Sequence, residues 1–357
     1  MKNRSQRIFL SIILLSITCI MSGCCCWDEE EPREVHDPYD GVLDPLQWHL
    51  LGLEEKEITD LHANRAVMLA ATKYSQDDPE EATLFRSMDL GFTWSPVMSK
   101  FDIVSLDGNK GDSIYVYIAG TNYAGGQPEP KMMLSRDRGY TWLHVFHPTE
   151  QNDEFPLFLK SNPSDYRICY LGMHSPDGTA LYRSDDAGSN WERVDVYGVE
   201  GTICDVAMVS GYPDYVLAAT KESPFIYRSY DKGGSWESLY IQNDGQLSFL
   251  EVMEGYPAKI YTGFTNSGIY ESSDMGSIWR TLGPDGAGVL DMMYGNSNSY
   301  FMLSTPYNGV YGQYFSGSTS NWYRLGDKTT YQTSPILAGY GKVVVLGDYG
   351  VHVYLTD

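Results

Sequence analysis

The sequence predicts an all-β fold, a seven-bladed β-propeller, from three observations. A motif recurs at a near-constant period, short β-type runs fill the intervals, and the composition suits tight turns. Each copy of the motif ends in Trp, and Trp94, Trp142, Trp191, Trp236, Trp279 and Trp322 lie 48, 49, 45, 43 and 43 residues apart. A fixed period of that length is the mark of a repeat architecture. The 357 residues include 35 Gly, 28 Tyr and 8 Trp, with only 20% charged, which favours short strands over long helices.

The chain opens with a targeting segment, residues 1–23. Lys2, Arg4 and Arg7 precede an apolar run from Ile8 to Met21, which is too short to span a bilayer comfortably. Met21-Ser22-Gly23-Cys24 resembles the bacterial lipobox, departing from it at Met21, where Leu is usual. The resemblance implies that Cys24 is lipidated and becomes the N-terminus. Acyl chains there would hold the protein at a membrane outside the cytoplasm. Cys25 and Cys26 follow, then the acidic run Asp28 to Glu31, in a tether covering residues 24–45. That run is expected to be a solvated spacer. It also resembles the signal that sends lipoproteins to the surface of Bacteroidetes-like bacteria.

Residues 46–357 form the body. The formal charge of the chain is −22. Loss of residues 1–23 removes three cations and no acid, so the body is more acidic still. Such a surface repels phosphate backbones, which excludes nucleic acid as a partner. Cations, basic proteins and neutral glycans stay open as ligands. The body's two cysteines, Cys169 and Cys204, suit either a disulfide in an oxidising compartment or buried free thiols.

Five segments share Ser-x-Asp-x-Gly-x-x-Trp. They run from Ser87 through Asp89 and Gly91 to Trp94, and from Ser135 through Asp137 and Gly139 to Trp142. The others are Ser184, Asp186, Gly188, Trp191; Ser229, Asp231, Gly233, Trp236; and Ser272, Asp274, Gly276, Trp279. A sixth copy keeps Trp322 but has lost the Asp. An Asp carboxylate can close a turn on backbone N–H groups, and Gly permits positive φ. The Ser hydroxyl adds a local bond, and Trp opens the next strand with its ring over the hairpin and its N–H near water. The five aspartates, each used by its own turn, are expected to be structural. So are Arg86, Arg183 and Arg228, which precede the motif's Ser in three units.

The motif is similar to the Asp box, the turn between the third and fourth strands of a blade in sialidase-like folds. The remaining strands are visible as runs such as Asp205–Val209, Tyr215–Ala219 and Phe225–Arg228, so each period holds four strands. After Trp322 the chain offers three more runs, 336–338, 342–346 and 350–354. The segment Leu46–Leu51, with Trp48, reads like an outer strand. The expectation is that it completes the last blade, so that no sheet edge stays open there.

Three families resemble the chain. Sialidases carry an Arg-Ile-Pro segment and a cluster of arginines, and this body lacks the first and has only ten arginines. The xyloglucanase family shares the spacing and strand texture but places substrate between two tandem propellers. The photosystem II stability/assembly factor family is a non-catalytic, protein-binding propeller of seven blades. These resemblances imply a fold and leave the ligand open.

One constellation has functional promise. Asp102, Asp205, Glu251 and Asp291 are expected at equivalent places on innermost strands, around the central channel. There they would hold a cation or a basic side chain, or supply an acid/base pair. Tyr212, Tyr256, Tyr307, Tyr311, Tyr314 and Tyr340 can stack on sugars or simply pack on the sheets. His144 and His147 are the only pair at a zinc-like spacing, an isolated one, and no metal or cofactor is expected. The reading is a monomeric, membrane-anchored binding or scaffold propeller that recognises a protein or glycan at the channel face. Its rival is a glycoside hydrolase or lyase using two of the four carboxylates.

Overall fold

The computed structural model describes residues 47–357, apart from 65, 109–113, 147–154, 177, 222–224, 242–244, 254–257, 284–287, 295–299, 306–308, 315–321, 326–335, 341–342, 349 and 356–357. The targeting segment, Cys24 and the tether lie outside the described residues, as do His147, Tyr256 and Tyr307. The described chain is all β and adopts a β-propeller.

Its strands group into seven four-stranded antiparallel sheets among the described residues. Six follow the chain, each an up-and-down meander. The first sheet, for example, contains Ile58–Ala63, Met68–Thr72, Ala82–Ser87 and Ser95–Ser99 in that order. The seventh joins Ile336–Tyr340, Val343–Asp348 and Gly350–Leu355 to Trp48–Leu50. Trp48 pairs with Tyr354 and Leu50 with His352. The leading strand of each sheet packs beside the leading strand of the next, and Ile336–Tyr340 packs beside Ile58–Ala63.

The core lies between sheets. Second strands such as Val216–Thr220 and Met68–Thr72 are buried along their whole length, as expected where both faces are covered. Five leading strands carry a β-bulge at the same level, at Thr59, Val104, Leu157, Cys204 and Ser248. A bulge sharpens the local twist and re-aims the side chains that follow it.

The Ser-x-Asp-x-Gly-x-x-Trp turns share one set of bonds. Ser87 Oγ donates to Asp89 Oδ1 at 2.8 Å and accepts from the Gly91 N–H at 2.7 Å. The residue four after each aspartate donates its N–H to Oδ1 at 2.8 Å in all five copies. The residue between Asp and Gly is also left-handed, as at Arg138 (φ 59°) and Lys232 (φ 66°). Gly233 is needed for space as well, because a Cβ there would meet Val194 of the preceding sheet at 2.4 Å.

The tryptophan N–H groups do not simply face water. Trp94 donates to Leu51 O at 2.9 Å, Trp236 to Asp195 O at 2.9 Å, and Trp322 to Leu282 O at 3.0 Å. Each reaches the outer strand, or the residue just beyond it, in the sheet before its own. The arginines reach the other way: Arg86 Nη1 donates to Gly139 O at 2.9 Å, and Arg228 Nη1 to Met275 O at 2.7 Å. Arg183 instead pairs with Asp185 beside it.

Candidate functional site

The residue after each bulge decides how neighbouring leading strands are joined. Asp60 takes the N–H of Leu61 on Oδ1 at 2.7 Å and that of Leu106, in the next sheet, on Oδ2 at 2.6 Å. Asp205 repeats this with Val206 at 2.9 Å and Leu250 at 3.2 Å. Ser105 makes the same crossing with its hydroxyl, which accepts from the Leu159 N–H at 3.0 Å. Where Phe158 and Phe249 stand at this level, each ring lies against a glycine of the second strand. A Cβ on Gly172 or Gly263 would come within 2.2 or 2.1 Å of those rings. The level thus holds either a polar link to the next sheet or an aromatic ring.

Two residues further along, on the same face, stand Asp107, Lys160 and Glu251. Asp107 Oδ2 accepts the Ser161 N–H at 2.7 Å and also the Ser161 hydroxyl. Lys160 Nζ lies 3.6 Å from Asp205 Oδ1. Its side chain keeps 31% exposure. A cavity of about 80 Å3 beside it is lined by Asp107, Lys160, Ser161 and Glu251 among others.

This is an ion cluster with more carboxylates than cations. The Lys160 ammonium is held well above its usual range, first by Asp205 and then by Glu251, Asp107 and Asp60, against its burial. Burial pushes the Asp60 carboxyl up to about 6, against the amide bonds from Leu106 and Leu61 and the pull of Lys160. Burial also raises Asp107 and Asp205. Desolvation therefore outweighs one lysine shared among several acids.

Of the four carboxylates expected to be equivalent, Asp205 and Asp291 make the same local bond, while Glu251 and Asp102 stand at other levels. Asp205 and Asp291 both accept the next residue's N–H, at 2.9 and 2.8 Å. Glu251 stands two residues past Phe249, beside the lysine. Asp102 lies three residues before the post-bulge Ser105, at the other end of its strand, five residues and roughly 17 Å from Asp107. The four do not share one level because the runs they open begin at different distances from the bulge: Asp102 two residues before it, Asp205 one after and Glu251 three after. Asp60, Asp107 and Lys160 were not foreseen.

Asp102 belongs to a second region. It is half-buried and raised by burial, against the pull of Lys73. Lys73 Nζ bonds Glu57 Oε2 at 2.9 Å. The Tyr74 and Tyr123 rings are stacked, 4.6 Å apart and 1° from parallel. Glu54 to Glu57, Thr72 to Gln76 and Glu81 line a cleft of about 580 Å3.

The turn aspartates are committed elsewhere. Asp137 is held below the usual range first by the Thr141 hydroxyl and amide, and Asp231 first by Ser229 and then Ser235. Cys169 and Cys204 are not joined in a disulfide; Cys169 is fully buried and Cys204 half-buried. Tyr212 is 54% exposed.

No family model matches the chain. It is 27% identical over 252 residues to the xyloglucanase Xgh74A of Acetivibrio thermocellus, 59% of this chain and 30% of that protein. It is 24% identical over 250 residues to a xyloglucanase of Hypocrea jecorina, 68% of this chain and 26% of that protein. The chain therefore spans under a third of these relatives' length. A solved structure of YCF48 bound to D1 peptide superposes with a TM-score of 0.61 at 18% identity, over 88% of this chain and 96% of that one. The GH74 enzyme of Niastella koreensis gives 0.63 at 13% identity, over 85% and 53%. What these likenesses share with the chain is the β-propeller fold.

Proposed function

We propose that this chain is a lipid-anchored, extracytoplasmic, seven-bladed Asp-box propeller that binds a protein or glycan at a channel face rather than transforming it. The observation that carries the reading is the engagement of the central carboxylates. Both oxygens of Asp60 and of Asp205 accept backbone N–H groups from two neighbouring sheets. Asp107 is bonded to Ser161, and Lys160 stands among them. A general acid or nucleophile needs an oxygen free to meet substrate; these oxygens join strands. Support for seven blades comes from the seven sheets and the pairing of Trp48–Leu50 with Gly350–Leu355. Support for the anchor is the Lys2–Cys24 segment.

Glycoside hydrolysis is the second reading, favoured by the xyloglucanases among the relatives. A panel of polysaccharides separates the two when retention and release of reducing ends are measured together. Retention without release is expected. Release that collapses in Asp205→Asn with Asp291→Asn, while retention persists, would establish the hydrolase instead. For the anchor, Cys24→Ser should free the protein from membranes; a variant that stays bound without acyl label removes that part of the reading.

A further inference from the structure

The cleft of about 580 Å3 beside Tyr74 lies away from the Lys160 cluster and is not used by it. Tyr74 lines it, with its ring backed by that of Tyr123. Its two lysines are already neutralised, Lys56 by Glu81 and Lys73 by Glu57. Glu54 and Glu55 are exposed and have no ion-pair partner among the described residues. The lining therefore offers carboxylates and a tyrosine ring to a ligand and no free cation. That is a match for a guanidinium or ammonium, which can take carboxylate oxygens and an aromatic face together.

The rim is also preset. Leu53 (φ 55°) and Glu55 (φ 67°) are left-handed, a conformation that residues with a Cβ rarely adopt. The closing sheet holds it there: Val351 N–H donates to Gly52 O at 3.0 Å, and Gly350 N–H to Lys56 O at 2.9 Å. The backbone that carries the two glutamates is therefore ordered before a ligand arrives, and only their side chains have to settle.

We propose that this cleft is a binding site for a basic peptide segment, with an arginine side chain on Tyr74 and its guanidinium at Glu54 and Glu55. The proposal rests on the binding reading above and names a site and ligand chemistry for it. An acetylated, amidated pentapeptide carrying two arginines is the probe, with its citrulline analogue as the neutral control, measured by calorimetry at low and at physiological salt. The arginine peptide should bind and the citrulline peptide should not. Glu54→Gln with Glu55→Gln should weaken binding about tenfold, and Tyr74→Leu should weaken it severalfold. Glu192→Gln with Glu200→Gln, which removes the same charge elsewhere, should leave it within about twofold. Equal binding of both peptides, or equal losses in the two glutamate pairs, would overturn the site. Retention of a glycan with no peptide binding removes the site and keeps the proposed function; binding of neither removes both.

Discussion

The indole N–H of Trp48 donates to the carbonyl oxygen of Leu325 at 2.8 Å, across 277 residues of chain. The bond ties the closing outer strand to the sheet before it, as Trp94 ties the first sheet to Leu51. Trp48→Phe should therefore cost about 1 kcal/mol in chemical unfolding. Trp142 has no bond to its indole nitrogen among the described residues, so Trp142→Phe should cost less. Equal losses would show that the rings' bulk matters and the N–H does not.

Asp137 gathers the Ser135 hydroxyl and the Thr141 amide and hydroxyl at 2.9, 2.8 and 2.6 Å. Replacing it with Ala leaves a left-handed turn without its clasp, and a loss of about 1–2 kcal/mol is expected in the unfolding midpoint. Asn keeps one acceptor and should recover part of it.

Stability should respond to pH with two signs. Asp60 sits at about 6 in the folded chain, above its unfolded value near 3.9, so the native state holds the extra proton between roughly pH 4 and 6. Its contribution falls as pH rises through that window, by about 2–3 kcal/mol at most. The turn aspartates are lowered. Their stabilisation is present above the unfolded carboxylate value and is lost as pH falls through their lower folded values. Asp60→Asn should raise the unfolding midpoint at pH 7 relative to pH 5, compared with the parent. No change in that difference would mean that Asp60 stays ionised throughout.

Lys160→Met removes the cation shared by Asp60, Asp107, Asp205 and Glu251. A loss of about 3–5 kcal/mol is expected at pH 7, where buried carboxylates would be left uncompensated. Part of it should return at pH 5, where protons replace the lysine. A variant as stable as the parent at pH 7 would mean that water already solvates the cluster.

Much of this was legible in the chain. The tryptophan period gave the four-strand unit, and Ser, Asp and Gly at fixed offsets gave the turn, because those interactions span only a few residues. The central cluster was obscured because the β-type runs start at different distances from the bulge. Counting from the start of each run aligns Asp102 with Asp205, while the bulge aligns Ser105 with Asp205. A signal was present: Ile58, Ile103 and Ile203 each stand two residues before the linking side chain, and Leu or Val follows it. Lys160 escaped notice because its meaning lies in acids from four other strands, which no local pattern records. The cleft escaped for the same reason, since its lining joins a turn near residue 54 to Tyr74.

The strand Trp48–Leu50 is made early and its partner Gly350–Leu355 late. During synthesis, that first strand has to wait for the rest of the chain before it can hydrogen-bond. Contacts so distant in sequence are slow to form. The intermediate with six sheets in place and the seventh incomplete should be the species on which chaperones and proteases act.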